Sequence, residues 1–82
     1  MDTNYENLAN AIILQAVEDY REALLWLNAH RPLCKEDEED DEYIQMVSER
    51  ASIEEFFLGS WFSVLTKLDG KVLLAKLKSE VV

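Results

Sequence analysis

Between residues 5 and 30 the apolar side chains recur at steps of three and four residues, and this spacing constrains the fold more than any other feature. Such a repeat is the period of an α-helix and not of a β-strand. The positions are Ala9, Ile12, Ile13, Ala16, Val17, Tyr20, Ala23, Leu24 and Leu27. The sequence therefore predicts one long amphipathic helix over about 5–30. We expect it to end before Pro32, because a residue that precedes proline is disfavoured in the α region.

Three further helices are predicted beyond this one. The first covers about 37–58, and its apolar positions are Tyr43, Met46, Val47, Ile53 and Phe57. Two short helices follow, over about 61–66 and 70–79. Gly59 is expected as a left-handed residue at the end of the second helix, and Asp69 as the N-cap of the last.

These helices together predict an all-α fold. The 82 residues include only two glycines and one proline and show no alternating apolar pattern, which excludes β architectures. We expect a long antiparallel helical hairpin (about 5–30 and 37–58) closed by the two short helices, in a single domain of residues 1–82. The segment 53–77 holds most of the aromatic bulk, and its Trp61 and Phe62 are predicted to be core residues.

The net charge of −9 limits the classes of partner. Residues 1–66 carry 15 acidic and 4 basic side chains, a balance of −11, whereas residues 67–82 carry 2 acidic and 4 basic ones, a balance of +2. Such an acidic surface repels nucleic acid and anionic membranes and attracts basic proteins. The apolar run 11–14 is too short for a signal-peptide core or a membrane span, and the lone Cys34 forms no intrachain disulfide. We expect a cytoplasmic protein.

No catalytic or metal-binding pattern stands out. His30 and Cys34 are the only residues of their types, and neither has further ligands or an orienting base at a recognisable spacing. The seven consecutive carboxylates of residues 36–42, EDEEDDE, lack the alternating ligands and central glycine of a calcium loop. The sequence predicts no catalytic residue, no cofactor and no metal, and therefore no enzyme.

Two segments resemble a group of small proteins encoded by bacterial phages and prophages. They are AIILQAVEDYREAL at 11–24 and IEEFFLGSWFSVLTKLDGKVLLAKL at 53–77, with the WF, LT and DG pairs of the latter. The chain departs from the group's pattern at Leu58-Gly59, where a polar pair is expected, and in its run of seven carboxylates. The resemblance implies a phage or prophage origin and a bacterial host cell, and it supplies no mechanism.

The remaining candidate site is the acidic surface. We expect it to mimic nucleic acid and to block a basic nucleic-acid-binding surface of a host or defence protein, as anti-CRISPR proteins do, without binding nucleic acid or membrane itself. Charge reversal at Asp37, Glu38, Asp40 and Asp41 should then weaken binding. The predicted partner-binding residues are Glu18, Asp19, Glu22, Glu36, Asp37, Glu38, Glu39, Asp40, Asp41, Glu42 and Glu49.

An alternative hypothesis assigns the acidic surface to solvation alone. Under this hypothesis the chain is a homo-oligomeric helical adaptor, of which a homodimer is the smallest form, and it does not mimic nucleic acid. Leu14, Leu25, Trp26 and the aromatic residues not needed for the core would form the subunit interface, because these three make the first helix apolar over more of its circumference than one contact needs.

Overall fold

A computed structural model describes residues 3–80, with side chains from residue 7, and every regular element in this range is a helix. The helices are α1 (Thr3–Ala29), α2 (Lys35–Glu38), α3 (Asp41–Leu58), α4 (Ser60–Leu65) and α5 (Gly70–Ser79). The predicted all-helical class is confirmed within the described range. Both α1 and α5 begin and end within two residues of their predicted bounds.

The two long helices pack along each other. Near the end of α1, Trp26 lies beside Tyr43 at the start of α3, whereas Ile12 near the start of α1 lies beside Phe56 at the end of α3. Between these points the ring of Tyr20 packs edge-on against Phe57, with centroids 6.2 Å apart. These contacts run in opposite directions along the two helices, which fits the predicted antiparallel hairpin.

The short helices α4 and α5 also contribute to the core. Phe62 of α4 is buried against Phe57, with ring centroids 5.4 Å apart. Leu74 and Leu77 of α5 are buried in the same cluster. Full burial of a side chain of this size stabilises a fold by about 1.5–3 kcal/mol. The aromatic and leucine contacts therefore hold α4 and α5 on the two long helices.

The continuous second helix predicted over 37–58 is interrupted. The chain forms one turn, α2, and then leaves the helical conformation before α3 begins at Asp41. Asp40 causes the restart, because its backbone is extended (φ −61°, ψ 131°) and its carboxylate accepts hydrogen bonds from the amides of Glu42 and Tyr43. Such an N-cap satisfies amides that have no partner within the helix.

Two predictions around α4 were wrong, those for Gly59 and Trp61, and a third, the bounds of α4, is shifted by one residue. Gly59 is extended (φ −86°, ψ 168°) and not left-handed, and α4 covers 60–65 because Thr66 is already extended. Trp61 is 58% exposed, so it is not a core residue. Successive residues of a helix lie about 100° apart around its axis. With Phe62 directed into the core, its neighbour Trp61 lies outside it.

Candidate acidic protein-binding surface

The acidic segment, residues 36–42, is exposed throughout. It comprises most of α2, the two linking residues and the first two residues of α3. Two ion pairs occur among the described residues, and they use Glu54 and Glu80, which lie outside the predicted partner-binding set. Within this range the seven carboxylates thus have no basic side chain in ion-pair contact, and their negative potential is directed into solvent.

Two carboxylates of this segment hold the backbone in place. Asp37 Oδ2 accepts a hydrogen bond from the amide of Leu33 at 3.0 Å, which ties α2 to the preceding turn. Asp40 Oδ1 accepts from the amides of Glu42 and Tyr43 at 3.0 and 3.2 Å. Substituting either residue would therefore change the local fold as well as the charge.

The acidic residues of α1 lie elsewhere on the molecule. Glu18 and Glu22 are exposed, and because they are four residues apart they share one face of the helix. Asp19 is half-buried beside Ser52 and Ile53, in the second half of α3, and accepts a hydrogen bond from Gln15 Nε2 at 2.9 Å. The acidic segment lies instead at the end of the hairpin where α1 stops and α3 starts.

A small cavity of about 320 Å³ marks that end of the hairpin. Three carboxylates of the acidic segment line it, together with Arg31, which is not in ion-pair contact with them, and the end of α1; the lining residues are Trp26, His30, Arg31, Asp37, Asp40, Glu42 and Tyr43. The structure thus brings Asp37, Asp40 and Glu42 together. It places the exposed Glu49 along α3, two turns beyond Glu42.

His30 and Cys34, the only residues of their types, lie between α1 and α2. The ring of His30 stacks on Trp26 with centroids 4.0 Å apart, and its Nδ1 lies 2.8 Å from the Trp26 carbonyl oxygen. The same carbonyl oxygen also accepts the backbone amide of His30 at 2.9 Å, so the ring nitrogen contacts a carbonyl group that already has a partner. Cys34 is exposed and precedes α2. Among the described residues no three His, Cys, Asp or Glu side chains are grouped to hold a metal ion.

A partly buried hydrogen bond that the sequence did not reveal joins α1 to α3, and an ion pair links the same carboxylate to α5. The hydroxyl of Tyr20 donates to Glu54 Oε2 at 2.6 Å, and the Nζ of Lys78 lies 3.6 Å from the same oxygen. Burial, and secondarily the hydrogen bond to Glu54, raises the pKa of Tyr20 well above its ordinary value. The sequence analysis assigned Glu54 no contact, although its spacing of three from Phe57 places it on the inner face of α3.

A second polar contact holds α5 against α1. Arg21 Nε and Nη2 donate to the two carboxylate oxygens of Glu80 at 2.8 and 3.1 Å. This hydrogen bonding to Arg21 lowers the pKa of Glu80. The contribution of the pair to stability is therefore present above the ordinary carboxyl pKa and is lost as the pH falls through the lowered value.

Replacing Tyr20 with Phe should lower the free energy of unfolding by about 1–2 kcal/mol, because Glu54 loses its short hydrogen bond. Since the folded-state pKa of Tyr20 is raised, its contribution is complete below about pH 10 and is lost as the pH rises further. Urea unfolding between neutral and alkaline pH should show a shallower alkaline loss for Tyr20→Phe than for the wild type. The half-buried Tyr43 supplies the control. An equal alkaline loss in wild type, Tyr20→Phe and Tyr43→Phe would contradict this assignment.

Comparisons with protein-family models, with curated proteins and with solved structures found no match for this chain. The resemblance to phage proteins stays a prediction from the sequence. Within the described residues, no helix is both long and apolar enough to cross a membrane.

Proposed function

We propose that this protein is a non-enzymatic inhibitor whose acidic segment binds a basic, nucleic-acid-binding surface of another protein. The observation that carries the proposal is the exposure of seven consecutive carboxylates, none of them in an ion pair within the described range. In this proposal the antiparallel hairpin, closed by α4 and α5, is the scaffold. The partner is a host or defence protein of the bacterial cell that the phage resemblance implies.

The charge density of the acidic segment supports this class of partner. Duplex DNA carries one negative charge per ~1.7 Å of helix axis, and proteins bind it with clustered Lys and Arg side chains that displace counterions. A run of seven carboxylates offers such a basic surface a comparable local density of charge. The contacts of Asp37 and Asp40 with backbone amides hold this run in place before binding, which lowers the entropic cost of ordering it in the complex.

The experiment is a pull-down from bacterial lysate on the immobilised chain, eluted in two ways. Half of the resin is eluted with duplex DNA at constant ionic strength, and half with neutral polymer at the same ionic strength. Because the proposed partner binds DNA and this protein through one surface, DNA should release it and the polymer should not. A captured protein that DNA does not release would contradict nucleic-acid mimicry.

The homo-oligomeric adaptor is supported by a different observation. Leu14 and Leu25 are 61% and 59% exposed, and eleven residues, about three turns, place them on one flank of α1. Trp26 is half-buried and stacks on His30, so it offers less free surface than the sequence suggested.

If this flank is a subunit interface, light scattering after size-exclusion chromatography should give a dimer at micromolar concentration. Leu14→Glu combined with Leu25→Glu should then give a monomer, because the substitutions place charges in an apolar contact. Ser48→Glu combined with Ala51→Glu, at exposed positions of α3, adds the same charge away from this flank and is a control that should leave the dimer intact. A strictly monomeric wild type would exclude this function.

A further inference from the structure

An apolar groove of about 500 Å³ runs between α1 and α3. Its floor is formed by Ile12 and Ala16 of α1 and by Ile53 and Phe56 of α3. The groove is open to solvent along its length and is not an enclosed cavity. Sites for small molecules usually bury about 70–90% of the ligand, so this shape suits the side of a larger element better.

Short side chains make the groove accessible to a helix. Ala11 and Ser52 are exposed and line its two sides, together with the half-buried Ala16. Small residues let a third helix approach the two walls closely, as in helix-in-groove recognition, where an amphipathic helix places its apolar face into such a site. The groove therefore fits the apolar stripe of a helix.

The borders of the groove are acidic. Asp19 lines it directly, and Glu49 lies on the same face of α3 because it precedes Ser52 by three residues and Ile53 by four. Arg21 projects from the other flank of α1, two residues from Asp19, and is paired with Glu80 of α5. A helix in the groove would consequently meet negative charge beside its apolar face.

The chain's own α5 illustrates the chemistry that packs on this hairpin. It buries Leu74 and Leu77 against the core and places Lys78 beside Glu54 of α3. An apolar stripe flanked by lysines thus already covers one face of the α1–α3 pair. The groove lies on the other side of α1 from the Arg21–Glu80 contact, where the described residues leave it uncovered.

We infer that this groove binds a basic amphipathic helix of a partner protein, with apolar side chains on Ile12, Ala16, Ile53 and Phe56 and with Lys or Arg beside Asp19 and Glu49. A second copy of this chain is a poorer occupant, because two chains of net charge −9 would meet across acidic borders. The inference does not depend on the acidic segment, which lies at the end of the hairpin beside Trp26 and His30.

The test uses a fluorescent synthetic peptide of about 14 residues, long enough to span ~21 Å as a helix, built from Leu at helical spacing and Lys elsewhere. Fluorescence anisotropy should show saturable binding to the wild type. Ala11→Arg and Ser52→Arg should each weaken binding about tenfold or more, because a long charged side chain then occupies the groove. Ala51→Arg is the matched control, since it adds the same charge at an exposed position of α3 that does not line the groove. It should change the affinity less than about twofold.

Three outcomes would overturn the inference. In the first, a peptide with Glu in place of Lys binds as well as the basic one. In the second, Ala51→Arg weakens binding as much as Ala11→Arg, although circular dichroism shows both variants folded. In the third, the wild type is a dimer that Ser52→Arg dissociates, which would assign the groove to a second copy. Reversing charges in the acidic segment should leave peptide affinity within about threefold at moderate salt, which separates this test from that of the proposed function.

Discussion

Replacing Gly70 with Ala should destabilise the protein by about 3 kcal/mol or more, because overpacking against rigid neighbours costs this much. A Cβ at this position would lie 1.9 Å from the carbonyl oxygen of Phe57 and 2.9 Å from its carbonyl carbon. The obstacle is backbone, so no side-chain rotation relieves it. In a domain of this size the loss corresponds to a fall of roughly 12–24 °C in melting temperature, measured by circular dichroism.

The backbone conformation of Gly70 makes the prediction specific. Its φ is not positive, so alanine can adopt the same backbone conformation at this first residue of α5, and alanine is the better helix former of the two. Conformational preference alone therefore favours Gly70→Ala, and only the approach of Phe57 opposes it. At Gly59 a Cβ would lie 3.0 Å from the Glu55 carbonyl oxygen, so Gly59→Ala is a milder control expected within about 1 kcal/mol of wild type. Equal melting temperatures for both variants would contradict the packing of α5 on the end of α3.

Reversing two charges in the acidic segment should weaken capture of the basic partner by about 100-fold at low salt, or about 2.7 kcal/mol. The suitable variant is Glu38→Lys with Glu39→Lys. Both side chains are exposed at the end of α2, where cations suit the helix dipole, so the reversal should leave the fold intact. Reversing the charge of Asp37 or Asp40 would be less informative, because both carboxylates accept hydrogen bonds from backbone amides.

The control for this reversal adds the same charge elsewhere. The double variant changes the net charge from −9 by +4, to −5. Ser48→Lys, Ala51→Lys and Glu55→Lys together add +1, +1 and +2, which also gives −5, on an exposed stripe of α3. Biolayer interferometry from low to moderate salt should show near wild-type capture by this control and a flatter salt dependence for Glu38→Lys with Glu39→Lys. Equal losses in both variants would mean that net charge alone governs binding.

The sequence predicted the fold where local signals and tertiary packing agree. The three- and four-residue repeat placed α1, and Asp69 was predicted to cap α5, where its carboxylate accepts hydrogen bonds from the amides of Lys71 and Val72. It missed the restart at Asp40, because a run of seven acidic residues is compatible both with a continuous helix and with an internal cap. The exposure of Trp61 was missed because its size suggested burial, whereas the direction of α4 is set by Phe62.

The candidate surfaces were less predictable than the fold. Exposure of the acidic segment follows from its composition, but the separate position of Asp19 depends on how α1 and α3 pack together. The groove between these helices left no signal, because Ala16, Ile53 and Phe56 read as ordinary core positions in a helical pattern. The role of Gly70 was equally hidden, since the sequence indicated only the start of a helix after Asp69, whereas the structure shows a close approach of two backbones.

The most direct test of nucleic-acid mimicry is a competition measurement on the captured partner. Its affinity for a fluorescent DNA duplex is measured by anisotropy at rising concentrations of this protein. If the acidic segment occupies the DNA-binding surface, the apparent Kd for DNA should rise in proportion to the protein concentration, and Glu38→Lys with Glu39→Lys should abolish the rise. An apparent Kd that stays constant while the two proteins remain bound to each other would contradict the proposed function.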